Sequence, residues 1–180
     1  PTEDPNSAVV INIPDSIAYN GYEYDVIRIG ANAFSNCLNV KKVSMPDTIT
    51  DIGEYAFGKC SDLLSIDISD NVVNIGNSAF SGCSSLSEVI FEEGSELETI
   101  GDSSFIKTRI QSFDTPLSVK TIGESAFEGC SQLAYVVIPE NVTEIKPSTF
   151  SGCKNLRTLT VSENSILEEI GEKAFKDCMF

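Results

Sequence analysis

The chain has 180 residues, of which 41% are hydrophobic and 22% are charged, the size and composition of one folded domain. Its 27 acidic and 12 basic residues give a formal charge of −15, which repels phosphate backbones and anionic lipids and so disfavours nucleic-acid binding. No apolar run reaches the roughly 20 residues of a membrane-inserted helix, and the lack of histidine excludes Ser-His-Asp and Cys-His catalysis and His-containing zinc sites.

The first 28 residues come before the regular pattern of the chain. Residues 1–8 are polar and are predicted to form a leader or linker. Asn20-Gly21 lies between β-forming residues, which is a strong signal for a tight β-hairpin. Residues 9–28 are therefore predicted to form an N-terminal cap, whose hairpin would shield the edge of the first repeat.

From residue 29 onwards, the pattern Ile-Gly-x-x-Ala-Phe-x-x-Cys recurs seven times, at steps of 22 to 25 residues. Its Ile–Phe anchors are Ile29–Phe34, Ile52–Phe57, Ile75–Phe80, Ile100–Phe105, Ile122–Phe127, Ile145–Phe150 and Ile170–Phe175. Apolar residues spaced three and four apart predict one or two helical turns in this segment. We call the chain from one anchor Ile to the next a coil.

Each coil also contains a second shared stretch, for example Leu63-x-x-Ile66-x-Ile68, whose last part alternates with period two. That alternation predicts a short, half-buried strand. A coil of about 23 residues cannot bury its own apolar side, so the coils must stack. We predict an α/β repeat solenoid over residues 29–180: a right-handed superhelix of about seven coils, each with one parallel strand and a short helical turn.

These two motifs together resemble leucine-rich repeats, and the 23-residue form with Ile-Gly-x-x-Ala-Phe-x-x-Cys resembles the BspA-like, treponemal-type family of bacterial surface proteins. The fourth coil departs from the pattern at Ser104 and Thr108, and the sixth at Lys146. The resemblance implies a secreted or surface-displayed protein. It also implies a protein ligand, such as a host extracellular-matrix or cell-surface protein. Without histidine, a metal cluster or a phosphate loop, no enzymatic activity is predicted.

The six cysteines each follow a repeat Phe by three residues, and no Cys-x-x-Cys chelating spacing occurs. In a parallel ladder their Cβ atoms point the same way, which suits disulfides poorly, so we expect six small buried side chains. The acidic runs lack the spacing of a calcium-binding loop, and the isolated glycines do not form a phosphate loop. No cofactor or metal is predicted.

Two functions remain open, a protein-binding module and a structural spacer that presents another domain at the cell surface. The outward positions of the predicted strands escape the repeat constraint, and they are mostly polar. A candidate binding face is formed by the outward residues Asp67, Glu88, Ile90, Asp114, Tyr135, Val137, Thr158 and Thr160. The apolar members favour binding. The last coil has no visible polar cap, so weak self-association through it is expected as well.

Overall fold

The structure is a computed structural model that describes residues 9–179; the predicted leader at 1–8 lies outside the described residues. Within that range the chain forms sixteen short strands and no helix. In chain order these are β1 (Val9–Asn12), β2 (Ser16–Tyr19), β3 (Tyr22–Asp25), β4 (Arg28–Ile29), β5 (Val40–Ser44), β6 (Asp51–Ile52), β7 (Ser65–Ile68), β8 (Asn74–Ile75), β9 (Glu88–Phe91), β10 (Thr99–Ile100), β11 (Ser112–Phe113), β12 (Thr121–Ile122), β13 (Tyr135–Ile138), β14 (Glu144–Ile145), β15 (Thr158–Val161) and β16 (Glu169–Ile170).

The predicted strand of each coil is present, and these strands form one side of the solenoid. This long-strand stack runs β1, β5, β7, β9, β11, β13, β15, and all of its paired strands are parallel. The alternation arises because the apolar positions, such as Val43 and Val136, are fully buried while their neighbours face outward. Among the described residues, ladder pairing is interrupted between β5 and β7 and between β9 and β11.

A second stack of two-residue strands forms another side of the solenoid. Each coil therefore has two strands, whereas one strand per coil was predicted. This short-strand stack pairs β4, β6, β8, β10 and β12 in parallel, and β14 with β16. Each strand ends at the anchor Ile and is defined by pairing with neighbouring coils, because two residues are too short to show a period. Six complete coils lie between Ile29 and Ile170, with a partial turn at each end, where about seven coils were predicted.

The prediction of a helical turn after each anchor is wrong, because the Gly-x-x-Ala-Phe-x-x-Cys segments are strings of tight turns. In the second coil the first turn closes with a 3.2 Å hydrogen bond from Ala56 N–H to the Gly53 carbonyl. Tyr55 and Lys59 have φ angles of 53° and 61°, as type II turns require and a helix does not allow. The Tyr55 N–H bonds across to Asn77 O in the next coil, at 3.0 Å. Hydrogen bonds between coils replace those within a helix.

The core is a continuous ladder of side chains in register. Anchor Phe rings of successive coils stack nearly parallel, with centroids 5.2 to 5.5 Å apart. The rings of Phe57, Phe80, Phe105, Phe127 and Phe150 are fully buried. Repetition therefore maximises buried apolar area, which is the main stabilising term for a solenoid whose coils contact only their neighbours.

Five of the six glycines that follow an anchor Ile are required by the close approach of the preceding coil, namely Gly53, Gly76, Gly101, Gly123 and Gly171. A Cβ at Gly76 would lie 2.8 Å from Glu54 N, and one at Gly123 would lie 2.4 Å from Asp102 N. Lys146 replaces this glycine in the sixth coil, and pairing in the short-strand stack is interrupted there, between β12 and β14. At every paired boundary of this stack the residue that approaches the preceding coil is a glycine, so the Cβ of Lys146 accounts for the missing pairing.

The predicted hairpin at Asn20-Gly21 is present. β2 and β3 are antiparallel, with Tyr19 opposite Tyr22, and Asn20 and Gly21 have φ angles of 50° and 79°, as a type I′ turn requires. The hairpin does not bury its own side chains, since nearly all of its strand residues are exposed. Its role in shielding the first coil stays a prediction.

Candidate binding surfaces

All eight residues of the predicted face lie on the outward side of the long-strand stack, which we call the strand face. Thr158 and Thr160, in the less buried last coil, are placed there by their pairing with Tyr135 and Val137. Five are exposed, namely Glu88, Ile90, Asp114, Thr158 and Thr160. Three are half-buried, namely Asp67, Tyr135 and Val137. The structure therefore places the eight on one side of the solenoid, without bringing them into a single cluster.

Tyr135 is central in the later part of the strand face. It pairs with Thr158 on one side and with Ser112 on the other, and Val137 pairs with Thr160. Tyr135 is therefore half-buried and flanked on both neighbouring strands by small polar side chains.

Ile90 belongs to a separate part of the strand face. It pairs with Asp67, and the unpaired boundary between β9 and β11 separates it from Val137. A shallow cavity of about 210 Å³ lies at this boundary, and Glu88, Ile90 and Asp114 line it. The apolar side chains of the strand face are thus divided by carboxylates.

The six cysteines are free thiols, and four of them, Cys60, Cys83, Cys130 and Cys153, are fully buried. Burial raises the pKa of Cys130 to about 11 and also raises the pKa of Cys153. Both thiols are therefore protonated at neutral pH, whereas nucleophilic attack and metal ligation require the thiolate. The packing role expected from the sequence is confirmed for the four buried cysteines, whereas Cys37 and Cys178, in the first and last coils, are only half-buried.

The comparisons with known proteins agree with this architecture. The model of the BspA type leucine rich repeat region matches six copies, over residues 11–134 and 120–180. The chain belongs to the BspA-type leucine-rich repeat family. A comparison with curated protein sequences finds no match.

Solved structures show the same BspA-type fold. A leucine rich repeat protein of T. pallidum is 30% identical with a TM-score of 0.80, over 91% of this chain and 73% of that one. A leucine-rich repeat protein from Eubacterium ventriosum is 22% identical with a TM-score of 0.69, over 92% of this chain and 50% of that one. The pneumococcal vaccine antigen PcpA is 22% identical with a TM-score of 0.58, over 93% of this chain and 58% of that one. Leucine-rich repeats are in general non-catalytic scaffolds for protein interaction.

The charge of this BspA-type solenoid is concentrated on one edge. We call the seven connections from a long strand to the following short strand the acidic edge: residues 13–27, 45–50, 69–73, 92–98, 114–120, 139–143 and 162–168. They contain thirteen acidic residues and one basic residue, Lys120, which pairs with Glu98. The turn side, residues 30–39, 53–64, 76–87, 101–111, 123–134, 146–157 and 171–179, contains eight basic and seven acidic residues. Nearly all of the net negative charge of residues 9–179 therefore lies on the acidic edge.

Three carboxylates of the acidic edge meet in space. Oxygen atoms of Asp47, Asp70 and Glu92, from three successive coils, all lie within 4.8 Å of one another. Sequence reasoning missed this group because the insertion after Phe91 obscures the shared register. The group lies at the surface, so it strengthens the negative potential of the edge.

No helix within residues 9–179 is long and apolar enough to cross a membrane.

Proposed function

We propose that this chain is a non-catalytic protein-binding module, secreted or displayed on a bacterial cell surface, with an adhesin-like role towards a host or matrix protein. The observation that carries the proposal is the contrast between the two sides of each long strand. The inward positions repeat the same apolar types in every coil, whereas the outward ones change from Lys42 to Asp67, Ile90 and Tyr135. A rigid scaffold with a variable surface suits recognition of a protein ligand.

The strand face supplies the proposed contact, with Tyr135 as its anchor. A Tyr side chain offers a large amphipathic surface at low entropic cost, which is typical of interface hot spots. Thr158 and Thr160 lie beside Tyr135 and Val137, and Glu88 and Asp114 line the cavity beside Ile90, whereas Asp67 is paired with Lys42 at 3.5 Å. We therefore propose a ligand with basic character, whose binding weakens as salt rises.

The proposal is tested by surface plasmon resonance with a panel of purified host extracellular-matrix proteins. For a protein that binds, Tyr135→Ala should weaken affinity by about 1–3 kcal/mol while changing stability little. Leu64→Ala is the matched control, because Leu64 is 51% exposed but lies outside the strand face. Unchanged affinity after joint substitution of Ile90, Tyr135 and Val137 would place the contact elsewhere.

The second candidate function is a structural spacer that presents another domain at the cell surface. The polar character of most outward positions favours it, among them Ser44, Ser65 and Ser112. A spacer would bind no protein of the panel.

Weak self-association through the apolar side chains of the last coil, where Ile170 is 59% exposed, is also proposed and is measured by analytical ultracentrifugation.

A further inference from the structure

The hairpin β2–β3 carries an exposed apolar side that the candidate strand face does not include. Ile17 lies opposite Tyr24, and Tyr19 lies opposite Tyr22. Because opposite residues and residues two apart share a side of an antiparallel pair, these four side chains project together. They are 54%, 51%, 66% and 69% exposed, respectively. We call them the tyrosine face.

The hairpin is held firmly to the solenoid at its base. The Val26 N–H bonds to the Asp15 carbonyl at 2.7 Å, and the Thr48 hydroxyl bonds to the Val26 carbonyl at 2.8 Å. The Thr50 N–H bonds to the Ile27 carbonyl at 2.9 Å. The first bond closes the base of the hairpin, and the bonds from Thr48 and Thr50 join that base to the next coil, so the tyrosine face is anchored to the solenoid. Such anchoring reduces the entropy that is lost on binding.

Both edges of the hairpin are open to a further strand. Within residues 9–179, β2 and β3 pair only with each other. The opposite side of the hairpin is polar, with a hydrogen bond of 2.7 Å from the Ser16 hydroxyl to Glu23. An open edge beside an apolar side is the arrangement that binds an added peptide strand: backbone hydrogen bonds hold it and alternate side chains reach the apolar side.

The charge around the hairpin determines which peptide it accepts. Residues 13–27 contain Asp15, Glu23 and Asp25 and no basic residue, and they begin the acidic edge. A second copy of this chain is disfavoured here, because each copy carries a formal charge of −15. A basic partner is drawn to the same place.

We propose that the hairpin binds an extended, basic segment of a partner protein, which adds a strand to β2–β3 and lays alternate apolar side chains on the tyrosine face. The proposal rests on the proposed function, protein binding, and places a contact outside the strand face. The charge of the acidic edge brings the segment in, and the tyrosine face selects among basic segments by their apolar side chains.

The test uses the full chain and three synthetic seven-residue peptides: alternating Lys and Val, alternating Lys and Ser, and alternating Glu and Val. Three of the five Tyr residues lie on the tyrosine face and the chain has no Trp, so intrinsic Tyr fluorescence reports binding directly. We expect the Lys-Val peptide to bind at least tenfold more tightly than either of the other two. The difference in affinity between the Lys-Val and Glu-Val peptides should become smaller as the salt concentration rises.

The decisive variant is Tyr19→Thr with Tyr22→Thr, which keeps β-forming residues and every charge. We expect it to lose at least tenfold in affinity for the Lys-Val peptide. Leu117→Thr is the matched control, because Leu117 is 70% exposed on the same acidic edge, and it should bind as the unchanged chain does. Binding by each variant is followed by isothermal calorimetry, and thermal unfolding verifies that each is folded.

Three outcomes overturn the proposal: equal binding of the Lys-Val and Lys-Ser peptides, unchanged binding by the double Tyr variant, or a dimer that the double Tyr variant abolishes. The last outcome would make a second copy the occupant. Substitution of Ile90, Tyr135 and Val137 separates this proposal from the strand face: it should leave binding of the Lys-Val peptide unchanged. If the peptides fail while a matrix protein binds the strand face, the proposed function stands and the hairpin site does not.

Discussion

The Cys60 thiol donates a hydrogen bond to the Phe34 carbonyl oxygen of the preceding coil, at 3.1 Å. The same oxygen accepts the Cys37 N–H that closes its own turn, also at 3.1 Å. The relationship recurs in the coils that follow, between Cys83 and Phe57, Cys130 and Phe105, Cys153 and Phe127, and Cys178 and Phe150. The repeated cysteine is therefore a small apolar side chain that also fills the second acceptor site of a buried carbonyl.

The Cys83 position tests this double role. Cys83→Ala removes the sulfur and its hydrogen bond to the Phe57 carbonyl, and it leaves a small cavity. We expect a loss of about 1–2 kcal/mol of unfolding free energy, measured by urea denaturation. Ser61→Ala is the control at a half-buried position of the adjacent turn, and it should change stability by less than about 0.5 kcal/mol. A loss no greater at Cys83 than at the control would contradict the role.

The stability of the protein should fall above pH 8.5 because of the buried thiols. Burial raises the pKa of Cys130 to about 11, whereas an unfolded thiol ionises near 8.5. The unfolded state therefore releases its proton first, and stability falls between these two values. We expect a loss of about 1–2 kcal/mol at pH 10 from Cys130 alone. Cys130→Thr, a residue type already accepted at position 108, should flatten the dependence of the urea midpoint on pH.

The glycine after each anchor Ile gives a matched pair of substitutions. A Cβ at Gly76 would meet backbone atoms of the preceding coil at 2.8 Å, whereas one at Gly30 would meet no atom within 4 Å. We expect Gly76→Ala to destabilise the protein by about 1–3 kcal/mol, and Gly30→Ala to be neutral or slightly stabilising. Thermal unfolding of both variants checks the difference, and equal effects would show that close approach is not the reason for the glycine.

Removing one coil should leave a folded protein. Deletion of residues 53–75 joins Ile52 to Gly76, and Ile52 already pairs with Ile75 in register, so the remaining coils can stack as before. We expect cooperative unfolding at a lower urea midpoint, because one layer of the core is lost. Deletion of residues 53–70 is the control: it leaves part of a coil out of register and should abolish cooperative unfolding.

The sequence predicted the repeat and its core closely, because every coil samples the same pattern. Seven copies of the motif identified the Phe positions of the core and the alternation of the long strands, and no assumption about distant contacts was needed. The candidate binding surface was harder to predict from the sequence. Tyr135 and Ile90 could be placed on the outward side from period two alone, but the unpaired boundary between β9 and β11 comes from packing between coils.

The errors have physical causes as well. Apolar spacing of three and four residues fits a helical turn and a string of tight turns equally, and the φ angles of Tyr55 and Lys59 decide between them. The exposed tyrosine face could have been found from the alternation Ile17, Tyr19 and Tyr22, Tyr24 on each side of Asn20-Gly21. The group of Asp47, Asp70 and Glu92 was missed because the insertion after Phe91 obscures the register that aligns Glu92 with the other two.

The interruptions of the two strand stacks fall at different coils, with a mechanical consequence. Where β5 and β7 or β9 and β11 are unpaired, the short strands β6, β8, β10 and β12 remain bonded. Where β12 and β14 are unpaired, the long strands β11, β13 and β15 remain bonded. Within residues 9–179, therefore, every layer keeps a backbone ladder to the next on at least one side. Tension along the solenoid axis cannot separate two adjacent layers at any point without breaking backbone hydrogen bonds between them.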